Sequence, residues 1–275
     1  MSPTITIIGG ADGPTRIFVA GESFLFCLAI LILSVAVGSF LFLRSSKKKK
    51  DNSMEKKDNP LRIAVLVSGG GTNLQALLDS EQKRRVSGEA CPYTVALVIS
   101  SSKNAYALER AAKAGVPTVV ASPYTVMGAE AAPKASRDEK RLAVSNRVLE
   151  LCRDYQIEAI VLAGFLMVLG GDVIQEFSGR IINLHPALLP KFGGEGMWGH
   201  HVHEAVLAAG ETESGCTIHL VDSGCDTGEI LLQKKVPVLP GDTVESLYAR
   251  IAPQEHSAMV EGVELLARRL RTSSN

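Results

Sequence analysis

The chain has 275 residues, 46% of them hydrophobic, and a formal net charge of zero from 29 basic and 29 acidic side chains. This composition excludes a disordered chain, and the lack of a basic excess argues against a nucleic-acid binder. The 5 cysteines are odd in number and form no CxxC pair, which excludes a disulfide scaffold and gives no pattern for a metal site.

The amino-terminal part contains an uncharged apolar run at residues 24–43, long enough to cross a bilayer core of about 30 Å as one helix. The basic residues from Arg44 onward follow this run, so the positive-inside rule places the rest of the chain in the cytoplasm. We therefore predict a short segment 1–23, a transmembrane helix 24–43, a basic linker 44–60 and a folded domain 61–271. The expected location is single-pass membrane, or cytoplasmic if the leader is not expressed.

Residues 4–15 read TITIIGGADGPT, a β-branched run followed by a tight turn. This stretch resembles a short motif of the membrane β subunit of sodium-pumping carboxylate decarboxylases. A single span cannot build a pump, so we interpret the segment as part of an anchor.

From Leu61 onward, short apolar runs alternate with helical patterns. The strand-like runs are 61–67, 94–99, 118–120, 159–163, 180–184, 217–221 and 230–236. Helical spacing occurs at 74–78, 105–114, 137–155, 202–209 and 244–270, and 125–136 is predicted to be a surface insertion. The alternation predicts an α/β fold, an open and mostly parallel Rossmann-like sheet with helices on both faces. Ligands bind such sheets at the carboxyl ends of the strands.

The first strand is followed by Ser-Gly-Gly-Gly-Thr-Asn at residues 68–73. Strand, glycine loop and helix together can cradle a phosphate, because glycines let the backbone approach the anion and helix N–H groups bind it. The loop lacks the Gly-Lys-Ser/Thr of nucleotide hydrolases and is not GxGxxG. A tight turn without a ligand is the alternative.

Polar side chains follow two later strands. Asn183 and His185 are two apart in an extended run, so both face the same side, and Pro186 and Pro190 fix the exit. An amide and an imidazole can bind an oxyanion, and the imidazole can move a proton, which suits acyl transfer. Asp226, in a glycine-rich loop after another strand, reaches His185 if the strands are neighbours; it would then raise the pKa of His185. A simple turn aspartate is equally compatible.

Residues 61–271 resemble the folate-dependent phosphoribosylglycinamide (GAR) formyltransferases of purine synthesis. The resemblance is carried by residues 68–75, 162–165, 183–191, 222–228 and 254–256, in that order. It implies that the chain is an enzyme that transfers a formyl group from 10-formyltetrahydrofolate, a cosubstrate, to the amine of GAR. No metal is implied.

The resemblance also implies roles for individual residues. Asn183, His185 and Asp226 match the catalytic positions, and His219 matches a histidine near the site with a supporting role. The positions implied for the GAR phosphate and ribose are Gly70, Gly71, Thr72, Asn73 and Glu255. The positions implied for folate are Leu166, Met167, Leu169, Val221, Asp222 and Cys225.

Two departures from the family pattern stand out. The loop at residues 192–200 is longer than in some members, and Met167 replaces an arginine of some relatives. Methionyl-tRNA formyltransferases carry a further carboxyl-terminal barrel, and formyltetrahydrofolate hydrolases a regulatory amino-terminal domain, so GAR is the favoured acceptor. A hydrolase and a membrane-tethered, non-catalytic folate or precursor sensor stay open as alternatives, as does assembly into a homodimer.

Overall fold

The computed structural model describes residues 59–272. The predicted membrane helix 24–43, the decarboxylase-like motif 4–15 and the linker up to residue 58 lie outside the described residues. The division of the chain into segments 1–23, 24–43, 44–60 and 61–271 stays a prediction.

Seven strands and seven helices make up the described part. The strands are β1 (Leu61–Val67), β2 (Tyr93–Ser100), β3 (Thr118–Val120), β4 (Ala159–Leu162), β5 (Ile181–His185), β6 (Glu213–Leu220) and β7 (Ile230–Pro237). The helices are α1 (Thr72–Ser87), α2 (Ala107–Lys113), α3 (Pro123–Met127), α4 (Arg137–Asp154), α5 (Asp172–Glu176), α6 (His200–Ala208) and α7 (Val244–Thr272).

The strands form one sheet in the order β3-β2-β1-β4-β5-β6-β7. Strands β1 to β5 are mutually parallel, whereas β6 pairs antiparallel with both of its neighbours, β5 and the edge strand β7. The predicted α/β fold with a mostly parallel sheet is confirmed. The chain moves from β1 toward β3 and then returns to the other side of β1, so a crevice forms outside the carboxyl ends of β1 and β4.

Helices cover both faces of the sheet, as the sequence predicts. On β1, Ile63, Val65 and Val67 face a core shared with α1, α2, α6 and α7. The alternate side chains Ala64 and Leu66 face a second core shared with α4 and α5. Burial on both faces explains why residues 63–67 of β1 are all apolar, whereas Arg62 near its start is only partly buried.

Two local expectations need correction. The stretch 125–136 is not wholly a surface insertion, because Ser122 and Thr125 form a capping box that starts α3, and Ala132 is 1% exposed. Strand β6 begins at Glu213 rather than at residue 217, because Ser214 and Cys216 are buried in the ladder with β7.

The predicted single-pass membrane location is also corrected. Within residues 59–272, no helix combines the length and the apolar character that crossing a bilayer requires. Helix α7 has 29 residues, but its buried side chains recur at intervals of three and four and therefore occupy one face. Its other face carries charged side chains such as Glu261, which pairs with Lys234.

Candidate active site

The register between β5 and β6 brings the polar residues of two strands together. Asn183 lies opposite His219, and His185 lies opposite Thr217. Directly opposed residues of an antiparallel pair share a face of the sheet, so all four side chains point the same way. The predicted common orientation of Asn183 and His185 follows from this register.

Asp226 joins this group from the loop between β6 and β7. Its Oδ2 lies 3.5 Å from Nδ1 of His185, and its Oδ1 lies 3.5 Å from Nδ2 of Asn183 and from Nε2 of His219. The backbone N–H of Gly194 donates to Oδ2 at 3.1 Å. Asp226 has φ 57°, a left-handed conformation that aspartate tolerates better than most residues.

Asp226 reaches His185 by a different route from the one expected for neighbouring parallel strands. The strands β5 and β6 are neighbours, but they are antiparallel, so the carboxyl end of β6 lies beside the start of β5. The loop after Leu220 therefore has to fold back along β5 for Asp226 to reach His185. Antiparallel pairing leaves no local signature in the apolar run of a strand, so the sequence could not reveal the reversal.

His185 is 3% exposed, and both of its ring nitrogens face acceptors. Nε2 lies 2.7 Å from the carbonyl oxygen of Phe192, which can only accept, so this nitrogen carries a hydrogen. Burial lowers the pKa of His185, and the Asp226 carboxylate and the Phe192 carbonyl oppose that change without reversing it. Asp226 does act to raise the pKa of His185, as predicted, but burial lowers that pKa by more, so the net shift is downward.

Asp226 is held as a carboxylate. Burial acts to raise its pKa, but the contacts with His219, His185 and the Gly194 amide outweigh burial and lower the pKa. The Sγ atom of Cys225 also lies 3.9 Å from Oδ2. The site therefore contains a fixed negative charge between two histidine rings.

His219 orients the amide of Asn183. Its Nδ1 lies 2.8 Å from the carbonyl oxygen of Leu220, which can only accept, so Nδ1 carries a hydrogen. Nε2 lies 3.1 Å from Nδ2 of Asn183 and 3.5 Å from Oδ1 of Asp226. The contact with His219 orients the amide of Asn183, and the supporting role of His219 stays a prediction.

The sequence reasoning missed two residues that hold the loop after His185. The hydroxyl of Thr217 donates to the Ala187 carbonyl at 2.6 Å and accepts from the Leu189 amide at 3.1 Å. Nε2 of Gln233 donates to the Leu189 carbonyl and to the Thr217 hydroxyl, each at 2.9 Å. Alternation along β6 from His219 could have singled out Thr217, whereas nothing local marks Gln233.

The glycine loop lies between β1 and α1. Gly71 has φ 72°, and a Cβ there would come within 2.6 Å of the Cβ of Ala107, so only glycine fits. Gly69 and Gly70 are exposed, and Nε of Arg110 donates to the Gly70 carbonyl at 2.8 Å. The loop thus presents solvent-exposed backbone beside the first turn of α1, where Thr72 is also exposed.

Asn73 and Glu255 meet beneath this loop. Nδ2 of Asn73 donates to Oε2 of Glu255 at 3.3 Å, and Glu255 is 5% exposed. Burial raises the pKa of Glu255 to about 7, against the opposing effect of Asn73. The Oδ1 of Asn73 is buried and has no hydrogen-bond partner among residues 59–272. The two residues that the resemblance assigns to the GAR side are therefore in direct contact.

The residues assigned to folate occupy two loops. The amide of Leu166, after β4, donates to Oγ of Ser68 at 2.9 Å, so this loop closes on the glycine loop across the crevice. Leu166 is 63% exposed, whereas Leu169 is 6% exposed and belongs to the second core together with partly buried Met167. The side chain of Leu169 therefore supports the loop from below.

The other folate loop follows β6. The amide of Val221 donates to the Ile181 carbonyl at 2.9 Å, which extends the pairing with β5 by one residue. Asp222 accepts from the Gly224 amide at 2.9 Å and from the Thr227 hydroxyl at 2.6 Å. Asp222 therefore shapes the loop that carries Cys225 and Asp226.

A family model described as formyl transferase matches residues 61–263, about three quarters of the chain and nearly all of the described fold. The chain belongs to the formyl transferase family. The match spans the glycine loop, Asn183, His185, Asp226 and Glu255. The residues of the candidate site therefore lie within a formyl transferase domain.

The similar curated proteins are named as trifunctional purine biosynthetic proteins or as phosphoribosylglycinamide formyltransferases. A trifunctional purine biosynthetic protein adenosine-3 of Drosophila pseudoobscura pseudoobscura is 43% identical over 206 residues, covering 75% of this chain and 14% of that protein. A chloroplastic phosphoribosylglycinamide formyltransferase of Vigna unguiculata is 37% identical over 74% of this chain and 60% of its own length. The chain thus spans only part of each of these curated relatives.

A solved structure agrees. Glycinamide ribonucleotide transformylase 1 from Symbiobacterium toebii has a TM-score of 0.66 and 38% identity, covering 76% of this chain and 89% of its own. A formyl transferase domain therefore accounts for the described residues, and the relative from Vigna is named as chloroplastic rather than as a membrane protein. This naming adds to the correction of the predicted membrane location.

Proposed function

We propose that this chain transfers the formyl group of 10-formyltetrahydrofolate to the amine of 5-phosphoribosylglycinamide, giving formyl-GAR and tetrahydrofolate. The observation that carries the proposal is the cluster of Asn183, His185 and Asp226, joined by contacts of 3.5 Å on a formyl transferase fold. Relatives named for this activity support the choice of acceptor.

The chemistry needs an oxyanion to be stabilised. The GAR amine attacks the formyl carbon, a new C–N bond forms, and the carbonyl oxygen becomes negatively charged. Nδ2 of Asn183 is held by His219 at 3.1 Å, and its longer contact with Asp226, at 3.5 Å, can give way so that this N–H donates to the oxygen. The imidazolium form of His185 can donate as well, through Nε2 once the formyl oxygen replaces the Phe192 carbonyl there, since Nδ1 faces Asp226.

Release of tetrahydrofolate requires a proton transfer. The attacking amine loses a proton, the bond between the formyl carbon and N10 of the folate breaks, and N10 gains a proton. Asp226 is an ionised acceptor beside His185, so the pair can take the proton from the amine, directly or through water, and return it to N10. Atoms and charge balance without a metal or redox step.

We assign the GAR side to the glycine loop and the Asn73–Glu255 pair. The backbone at Gly70, Gly71, Thr72 and Asn73 offers N–H groups to a phosphate at the start of α1. Glu255, with a pKa raised to about 7, can donate as well as accept, which suits the hydroxyl groups of a ribose.

We assign the folate side to the two loops that flank β5. Leu166, Met167 and Leu169 form one wall, and Val221, Asp222 and Cys225 form the other. Exposed Leu166 offers apolar surface to a pterin ring, and Met167 offers no charge where some relatives have an arginine.

The test uses the purified full chain with 10-formyltetrahydrofolate, following the absorbance change as the formyl group leaves. Turnover that requires GAR is the expected result. Folate release at the same rate without GAR would show a hydrolase and overturn the proposal, and a chain inert with both substrates would overturn it too. Glycine in place of GAR is the matched control, because it keeps an amine but lacks the ribose phosphate.

A further inference from the structure

Two successive carbonyl groups of the glycine loop are tied to helix α2. The backbone N–H of Ala107 donates to the Gly69 carbonyl at 3.1 Å. Nε of Arg110, one turn further along the helix, donates to the Gly70 carbonyl at 2.8 Å. Both carbonyl groups therefore point toward α2, although the two glycines are exposed and their backbone could adopt many other conformations.

These contacts determine where the N–H groups of the loop point. The peptide bonds that join residues 69, 70 and 71 are trans, so in each planar unit the N–H group points opposite to the carbonyl group. The N–H groups of Gly70 and Gly71 thus point away from α2. Neither has a hydrogen-bond partner among residues 59–272, so both are open donors. Open backbone donors at the start of a helix are what a phosphate needs.

Arg110 is itself held in place by its surroundings. Its Nη1 donates to Oε1 of Gln75 on α1 at 3.0 Å, and its guanidinium lies 5.0 Å from the centre of the Tyr106 ring. Nε2 of Gln75 in turn donates to Asp79 at 2.8 Å, which fixes the orientation of the Gln75 amide. One side chain therefore joins α2 to the glycine loop and to α1.

The positive charge of Arg110 also favours an anion near this loop. Both groups that accept from its guanidinium are uncharged carbonyl oxygens, so these two contacts leave the charge unneutralised. Burial lowers the pKa of His256 on α7, and the charge of Arg110 lowers it further. The charge therefore acts on the part of α7 that carries Glu255, the neighbour of His256 in the chain.

We propose that Arg110 is a positioning residue for the phosphate of the acceptor substrate. It turns the Gly70 carbonyl toward α2 and thereby presents the Gly71 N–H to the phosphate. This inference rests on the proposed function, which assigns the glycine loop to GAR. Without Arg110 the peptide plane can rotate, and a carbonyl oxygen that faces the site repels the phosphate. Because a donor that is already oriented lowers the free-energy cost of binding, the loss should appear in substrate affinity.

The first experiment is steady-state turnover of the full chain with GAR and 10-formyltetrahydrofolate. Arg110→Ala should raise KM for GAR about tenfold or more, with kcat and KM for the folate changed by less than about twofold. Arg110→Lys keeps a charged donor for the Gly70 carbonyl and should bring KM for GAR to within about threefold of the natural chain. Unchanged KM for GAR in Arg110→Ala, or no recovery in Arg110→Lys, would overturn the proposal. An equal loss in kcat would show that Arg110 is merely structural.

Lys113→Ala is the matched control for the charge of α2. Lys113 lies on the same helix, with its Nζ 5.7 Å from the centre of the same Tyr106 ring, but it makes no hydrogen bond to the glycine loop. Its removal should leave KM for GAR unchanged. A rise as large as that in Arg110→Ala would show that any positive charge on α2 suffices, and the proposed orientation of the loop would be wrong.

A calorimetric titration with ribose 5-phosphate separates this inference from the proposed function, because it needs no formyl transfer. The natural chain should bind this phosphosugar, and Arg110→Ala should bind it about tenfold more weakly. If binding depends on Arg110 but the natural chain does not turn over GAR, the proposed function fails and the role of Arg110 stands. No binding by the natural chain up to about 10 mM, or equal affinity in both chains, would overturn the inference.

Discussion

At the scale of single residues, His185 is held between a carboxylate and a carbonyl in a buried position. The Phe192 carbonyl occupies Nε2 at 2.7 Å, the same nitrogen that would serve a formyl oxygen. A substrate oxygen therefore has to replace this carbonyl, and the loop that carries Phe192 has to move when the substrate binds. Gly193 and Gly194 directly follow Phe192, and the backbone freedom of glycine lowers the free-energy cost of such a movement.

Replacing His185 by alanine should remove most of the turnover. Loss of the imidazole removes both an oxyanion donor and the proton carrier, so we expect kcat to fall by about 10² to 10⁴. The measurement is steady-state turnover with both substrates, with a thermal melt to show that the variant is folded. His201→Ala is the control, since His201 is exposed and should leave kcat unchanged. Unchanged kcat in His185→Ala would contradict the assigned mechanism.

Glu255 should make stability depend on pH in a specific direction. Its folded pKa is raised to about 7 by burial, whereas the reference value is 4.5, so the folded state holds a proton that the unfolded state releases. The contribution of Glu255 to the free energy of unfolding is therefore greatest below pH 4.5. It falls as the pH rises toward 7, by up to about 3 kcal/mol.

The check on this pH dependence is urea unfolding at pH 5 and pH 8. Glu255→Gln should lose less stability between the two pH values than the natural chain does. Glu261→Gln, which alters an exposed carboxylate of the same helix, should follow the natural chain. Equal pH dependence in the natural chain and Glu255→Gln would show that Glu255 ionises normally.

At the scale of elements, the strand pair β5–β6 determines the site. Thr217 and Gln233 tie residues 187–189 to β6 and β7 through three hydrogen bonds, and a fourth joins Gln233 to Thr217. These contacts fix the loop that leaves His185, so they control the direction of the imidazole without touching a substrate. Thr217 is a positioning residue in this sense.

Thr217→Val preserves the shape of the side chain and removes the hydroxyl. The Ala187 carbonyl and the Leu189 amide then lose a buried partner, which should cost about 1–3 kcal/mol of stability. We expect kcat to fall at least severalfold while KM for both substrates changes little. Thr118→Val, at an exposed position of β3, is the control. A variant that loses stability but keeps full kcat would show that Thr217 is merely structural.

The elements that the sequence predicted best are those determined by local burial. Strand β1 has the predicted bounds because it is buried on both faces and is apolar except at Arg62. The start of β6 was missed, because Glu213 and Ser214 look polar and become strand only through pairing with β7. The same holds for the site: Asn183 and His185 are readable from spacing, whereas the Phe192 carbonyl, Gln233 and the net pKa direction of His185 arise from tertiary contacts.

At the scale of the whole molecule, one sheet separates two cores. Leu66 faces one core and Leu74 lies in the other, and both are fully buried. Strand β1 contributes side chains to both layers, so neither core can unfold without disturbing the other. The described domain should therefore unfold in a single transition.

Leu66→Ala and Leu74→Ala test this coupling from opposite faces. Each should destabilise the domain by about 2–5 kcal/mol, with one urea transition that coincides in far-UV and near-UV circular dichroism. Val86→Ala is the control, because Val86 is 76% exposed and should change stability by less than about 0.5 kcal/mol. Far-UV and near-UV transitions that do not coincide within either leucine variant would indicate that the two cores unfold independently.

The pairing of Asn183 with His219 across two strands has a consequence for how this site can change over time. Loops around it can gain or lose residues without moving either partner, because ladder hydrogen bonds hold both. One residue inserted within β6 has a different result: it turns His219 and Thr217 to the opposite side of the sheet while β5 stays in place. Length variation is therefore tolerated between these strands and forbidden inside them.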